Sequence, residues 1–229
     1  MDTTPEPPKH QFPSWSGPTN PESVLPVVVA ILTAMALQLW IPKGYTLLPR
    51  WPLLVLEVLL LVVLLGINPF VMRRRTLLGR CSAWMLLTAI AIDNTLSAIV
   101  LDISIITGRV SNDAAVLLGS GAAIFVTNII VFGILYWELD RGGPFARHAG
   151  ERPYPDFMFP QMASPDVAKP NWRPTFVDYL YLSFTNVLAF SPTDTMPLAR
   201  WAKLLMTVQA MVALSVAGLV IARAVNVLG

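Results

Sequence analysis

Apolar residues in this chain come in long unbroken blocks rather than alternating with polar ones. The first runs from about Ser23 to Trp40 and closes on Ile41-Pro42-Lys43-Gly44. Pro26 falls in its first turn, where a missing backbone N–H costs little. A second begins at Trp51-Pro52 and runs from Leu53 to Ile67, a third covers about Cys81 to Thr107, and a fourth about Ala114 to Trp137. Ser111-Asn112-Asp113 supplies helix N-cap chemistry ahead of the fourth. At 1.5 Å per residue these blocks predict helices able to cross a hydrocarbon core of about 30 Å, the second near the lower limit of length.

The last quarter is patterned differently. Thr175-Phe176-Val177-Asp178, directly after Pro174, is a capping box with Asp in the acidic position and predicts a helix start. Pro192 predicts an end near Phe190, because the residue before a proline is pushed out of the helical region. About 16 residues give roughly 24 Å, too short to cross. The segment 175–190 therefore reads as a helix that enters the membrane and stops. The backbone freed at its end must be buried in protein or line water. A long apolar helix follows over about 199–226.

The expected architecture is an all-α polytopic membrane protein: five transmembrane helices plus one short re-entrant pore-like helix. Residues 23–138 form a four-helix region, 139–173 a Pro-rich polar connection, and 174–229 a module made of the re-entrant helix and the last span. Residues 1–22, with six prolines and no hydrophobic periodicity, read as a disordered tail. No internal repeat is present.

Composition agrees with this and narrows it. The 229 residues are 55% hydrophobic and 13% charged, with mean hydropathy +0.60. Soluble domains carry about 25% charged residues, so a water-soluble enzyme of this size is excluded. The net charge of +2 is too small to argue for nucleic acid. Placing the N-terminus, the Arg73-Arg74-Arg75 loop and the 139–173 connection on one side collects twelve of the sixteen Lys and Arg there. This predicts a multi-pass cell-membrane protein with a cytoplasmic N-terminus and the re-entrant loop on the cytoplasmic side. The start lacks the pattern of a cleaved signal peptide, so the first span reads as a retained anchor. The triple arginine reads as a topology determinant, with contact to anionic headgroups as the sharper alternative.

Polar groups inside the spans are the next candidates. Asp93 lies near the midpoint of its span, where a lone carboxylate is costly and is by default a functional-site candidate. Asp93, Ser97 and Ser104 fall within about 40° of one another on a helical wheel, next to Asn94, while Asp102 points the opposite way. Asn128 and Gln209, on other spans, are candidate hydrogen-bond partners for Asp93, with a bound cation or water as the alternative. Glu57 is expected to snorkel, and Trp51, Tyr136, Trp137 and Trp201 to anchor the interfaces. Gly119-Ser120-Gly121 reads as a close helix contact. Gly218, among Ala213, Ala217 and Ala222, is a hinge or packing residue, with packing favoured.

Enzyme chemistry is not expected. His10 and His148 have no Cys, Asp or Glu at metal-ligand spacing. The single cysteine, Cys81, excludes an intrachain disulfide and reads as a small packing residue. Glu138 and Asp140 at a span edge lack a partner motif, so no metal and no cofactor is expected.

Asp178-Tyr179-Leu180-Tyr181-Leu182-Ser183-Phe184-Thr185 resembles the pore helix of the potassium-channel superfamily. Asp194, Pro197, Leu198, Ala199 and Arg200 fall where those channels have the filter aspartate and the start of the inner helix, and Val220-Ile221-Ala222-Arg223 resembles an inner-helix end. The likeness covers residues 174–226. The whole chain also resembles a family of uncharacterised bacterial integral membrane proteins, which implies no activity. Where channels carry Thr-Val-Gly-Tyr-Gly, this chain reads Ala189-Phe190-Ser191-Pro192-Thr193. Both glycines that let carbonyls line a filter are gone, and a proline of fixed φ lies between their positions. The resemblance thus implies a channel-like protein with a degenerate filter over Phe190, Ser191, Pro192, Thr193, Asp194 and Thr195. It would form a weakly selective path for a monovalent cation, assembled as a homo-oligomer, a tetramer by analogy. The alternative is a non-conducting membrane scaffold or accessory subunit that kept the architecture.

Overall fold

The computed structural model describes residues 14–18, 20–47, 49–72, 75–110, 113–188 and 194–228. The apolar blocks become helices α1 (Leu25–Trp40), α2 (Arg50–Ile67), α3 (Leu77–Ile106) and α4 (Ala114–Leu139). After α4 come two short helices, α5 (Pro144–Ala149) and α6 (Pro160–Ala163), with the two-residue strand β1 (Phe157–Met158) between them. Helix α7 (Phe176–Leu188), strand β2 (Met196–Pro197) and helix α8 (Arg200–Leu228) complete the chain. Four of these helices are long and apolar enough to cross a membrane, and α1, with 16 residues, is a shorter apolar helix. The chain is an all-α membrane protein of the multi-pass kind.

Local chemistry sets the helix ends. Asp113 caps α4 by accepting from the backbone N–H of Ala115 at 2.9 Å, as its position before the apolar block predicted. Thr76 caps α3 through Gly79 N–H at 3.0 Å. At α7 the Asp178 carboxylate reaches back to the Thr175 N–H at 2.7 Å. The Thr175 hydroxyl donates to that same carboxylate rather than accepting from the helix, so the box is half made. Arg141, Gly142 and Gly143 all have positive φ, and that run of left-handed backbone turns the chain sharply out of α4.

Helix α4 is the axis of the bundle, with α1, α3, α7 and α8 packed around it and α2 outside on α3. Glycines set the closest approaches. A Cβ on Gly121 would meet Val220 of α8 at 2.9 Å, and one on Gly133 would meet the Leu180 backbone of α7 at 3.1 Å. The Gly119-Ser120-Gly121 stretch is a helix contact, as its composition suggested. Gly218 is not: space around it is open, and α8 packs instead through Ala213, Val216, Val220 and Ala224. Cys81 is exposed rather than packed.

The 139–173 connection folds back over the end of the bundle. It carries β1, which pairs antiparallel with β2 in the register Phe157↔Pro197 and Met158↔Met196. Phe157 is the centre of an aromatic cluster, with ring centroids 5.1 Å from Tyr136, 5.6 Å from Trp201 and 6.5 Å from Tyr179. Tyr136 and Trp137, expected as interfacial anchors, are therefore core residues, whereas Trp51 is exposed. Residues 14–18 and 20–22, expected as part of the tail, are docked as well. Met72 N–H donates to the Glu22 carbonyl at 3.1 Å, and Ser23 bridges to Val71.

Candidate functional site

Three polar groupings stand out, and the first two hold the intramembrane polar residues singled out from the sequence. The first centres on Gln209, in the part of α8 that faces α4 and α7. Its carbonyl oxygen accepts from the Tyr136 hydroxyl at 2.6 Å and from the Asn186 amide at 2.8 Å. Its own amide donates to the Ser183 hydroxyl at 2.6 Å and to the Ser183 carbonyl at 3.1 Å. Ser183 in turn donates to the Ile129 carbonyl of α4 at 2.6 Å. One glutamine thus ties α4, α7 and α8 together where water is scarce and an orphaned amide would be costly. Gln209 is committed here and is not a partner of Asp93.

The second grouping lies on the inward faces of α1 to α4. Asp93, Asn94 and Ser97 are all buried on α3, and Asn128 is buried on α4. Asp93 lies within range of the charges of Arg50, the first residue of α2, and of Glu57. Glu57 does not snorkel: it is fully buried, and the Gln38 amide of α1 approaches its carboxylate at 3.5 Å. Arg50 donates to the Leu39 carbonyl at 3.1 Å. Much of the polar capacity here is unused among the described residues. Asn128 has neither amide atom bonded, and one carboxylate oxygen of Glu57, the amide oxygen of Asn94 and the hydroxyls of Ser97 and Thr127 are likewise unpaired. Ser104 bonds back to the Val100 carbonyl of its own helix, and Asp102 faces Ser215 of α8. The sequence signal for Asp93 was its depth; Arg50 was missed because it starts a helix and counted as a loop cation.

The third grouping joins the connection to the bundle, and sequence reasoning did not find it. Asp140, 0% exposed, accepts from Asp156 N–H at 2.9 Å and Phe157 N–H at 3.4 Å through one oxygen. Its other oxygen accepts from the Tyr179 hydroxyl at 2.6 Å and lies 3.5 Å from the Arg141 guanidinium. Arg147, 3% exposed, donates to the Asp140 and Trp137 carbonyls and to the Glu22 carboxylate, and stacks over Tyr179 at 5.2 Å. Asp156 accepts from Arg141 N–H and from the Trp201 indole. Both Asp140 oxygens are taken by these partners, which makes it an organising group and not half of a metal site. The only signal was a run of acids, arginines and aromatics in a segment without periodicity.

Of the filter-like residues, Phe190, Ser191, Pro192 and Thr193 lie outside the described residues. Asp194 is exposed and Thr195 buried. Asp194 precedes α8 by six residues, with β2 between. Just ahead of α8, the backbone carbonyl of Asp156 accepts from Leu198 N–H at 2.8 Å.

No family model, curated protein or solved structure matches this chain.

Proposed function

We propose that this chain is a channel-like membrane protein of the pore-loop type, with α1 to α4 and α8 as five spans and α7 as a re-entrant helix. The observation that carries the reading is the β1–β2 ladder. Phe157 precedes α7 and Pro197 follows it, yet the two are paired. The chain that departs through α7 is thus back beside its starting point before α8 begins. A 13-residue helix of about 20 Å followed by such a return has the form of a pore loop. Its hold on α4 and α8 through Ser183, Asn186 and Gln209 gives the buried support that a half-span needs in lipid.

In this reading several copies surround a central path. Asp194 and the Ser191 and Thr193 hydroxyls favour a monovalent cation over an anion, with weak selectivity. The lysine and arginine bias places the loop on the cytoplasmic side. One observation favours the non-conducting scaffold instead. The exposed face of α7 is apolar, with Val177, Tyr181, Phe184 and Leu188, and its polar groups are satisfied within the chain.

Reconstitution into liposomes with a cation-flux readout separates the two. The channel reading expects flux in the wild type, with the cation-over-anion preference reduced several-fold in Asp194→Asn at equal protein incorporation. Absence of flux across voltage, pH and membrane tension leaves the scaffold.

A further inference from the structure

An apolar cleft lies away from α7, between α1, α2, α3 and the end of α4. It holds about 1100 Å³ of atom-free space, counting its open mouth. Its depth is lined by aliphatic side chains, among them Val27 and Ile31 of α1, Leu61 and Leu65 of α2, and Leu86 and Ile90 of α3. Its mouth is different in kind. Arg75, Thr76 and Arg80, at the start of α3, stand there with Glu138. From Thr76 to Ile90 the lining follows α3 for about 21 Å.

We infer that this cleft holds one chain of an anionic phospholipid, with the headgroup phosphate at Arg75 and Arg80. The assignment rests on three features. The interior is apolar along its length and offers no polar group to a soluble ligand, so its occupant is an acyl chain. Two guanidiniums at the mouth match a phosphate, and both stand at the start of the 30-residue α3, where the helix dipole favours an anion. Arg75 and Arg80 belong to the densest basic run of the sequence, residues 73–80, which holds four arginines and no acid, so an anionic headgroup is favoured over a zwitterionic one. Arg75 pairs with Glu151 at 2.9 Å, but both side chains are about half exposed, and such a pair exchanges readily for a phosphate. The inference does not depend on whether the chain conducts.

The test uses the full chain in nanodiscs and mild detergent, with phosphatidylglycerol and phosphatidylcholine as the two probes, read by native mass spectrometry. The wild type should retain about one phosphatidylglycerol through detergent wash and bind it more tightly than phosphatidylcholine. Arg75→Gln with Arg80→Gln should weaken phosphatidylglycerol by roughly 30-fold and erase the preference. Ala83→Phe, which fills the cleft wall without touching a charge, should lower retention of both lipids. Thermal melting in detergent alone checks that each variant is folded. Equal retention by the wild type and both variants would mean lipid binds only around the perimeter, and the inference would fail. Retention lost in the arginine variant but not in Ala83→Phe would put the headgroup on the surface with no chain in the cleft, and would also overturn it.

Discussion

Replacing Asp140 by alanine should destabilise the protein by about 3–5 kcal/mol, the usual cost of removing one partner from a buried charge cluster. The carboxylate is fully buried and receives two backbone N–H groups, the Tyr179 hydroxyl and the Arg141 guanidinium. Alanine would remove an acceptor from all of them at once and leave two nearly buried arginines with Glu22, Glu138, backbone carbonyls and aromatic rings for compensation. Asp140→Asn keeps the shape but puts an amide where an acceptor is needed, and should cost about half as much. Denaturant titration in micelles measures both. Limited trypsin digestion supplies an independent reading, since Arg141 and Arg147 should become cleavable in the alanine variant. A neutral Asp140→Ala would show that the connection does not depend on this carboxylate.

Gln209 and Asn128 should respond to leucine with opposite signs, although sequence gives them the same description: an amide in the middle of an apolar helix. Gln209→Leu removes four hydrogen bonds and leaves the Tyr136 hydroxyl without its acceptor, for a loss of about 2–4 kcal/mol. Asn128 has no bonded amide atom among the described residues, so Asn128→Leu removes an unrewarded burial and should gain about 1–2 kcal/mol. Unfolding in mixed micelles compares the two against the wild type. If Asn128→Leu were as damaging as Gln209→Leu, the second grouping would be a structural network completed by ordered water. A more stable Asn128→Leu protein marks Asp93, Asn94, Ser97 and Asn128 as polarity kept at the expense of stability, the pattern expected where function requires it.

The spans were legible because the bilayer imposes a single requirement, length of apolar sequence, and the chain meets it in plain blocks. Block ends at Trp40, Ile67 and Thr107 lie at or within a residue of the helix ends, and Asp113 announced α4 through its capping chemistry. What lay outside the apolar blocks was not legible in the same way. A tryptophan or tyrosine at a span edge has the same neighbours in sequence whether it meets headgroups, as exposed Trp51 does, or a returning loop, as Tyr136 and Trp137 do. The connection has no period, so nothing in it foretold that Phe157 would fill the core or that Asp156 would serve α8. Small residues divided likewise. Gly121 and Gly133 lie against neighbouring helices and Gly218 against none, a difference set by the crossing points of α4 and not by the residues around each glycine. Asp93 was found from depth alone, whereas its companions Arg50, Glu57 and Gln38 come together only when α1 and α2 fold back antiparallel.

The ladder between β1 and β2 also bears on the order in which the protein is made. Asp140 and Asp156 are near neighbours in sequence, so that part of the clasp can close while the chain is still being synthesised. The strand that pairs with β1 and the Gln209 amide that reaches Ser183 belong to residues 196–209, which emerge after α7. Until then α7 leans on α4, on α1 and on the connection through Tyr179, while Asn186 waits for the partners it has in α8. Helix α8 is therefore the bolt of the assembly, and a ribosome that stops short of Gln209 releases a chain in which α7 lacks the glutamine that ties it to α4 and α8 together.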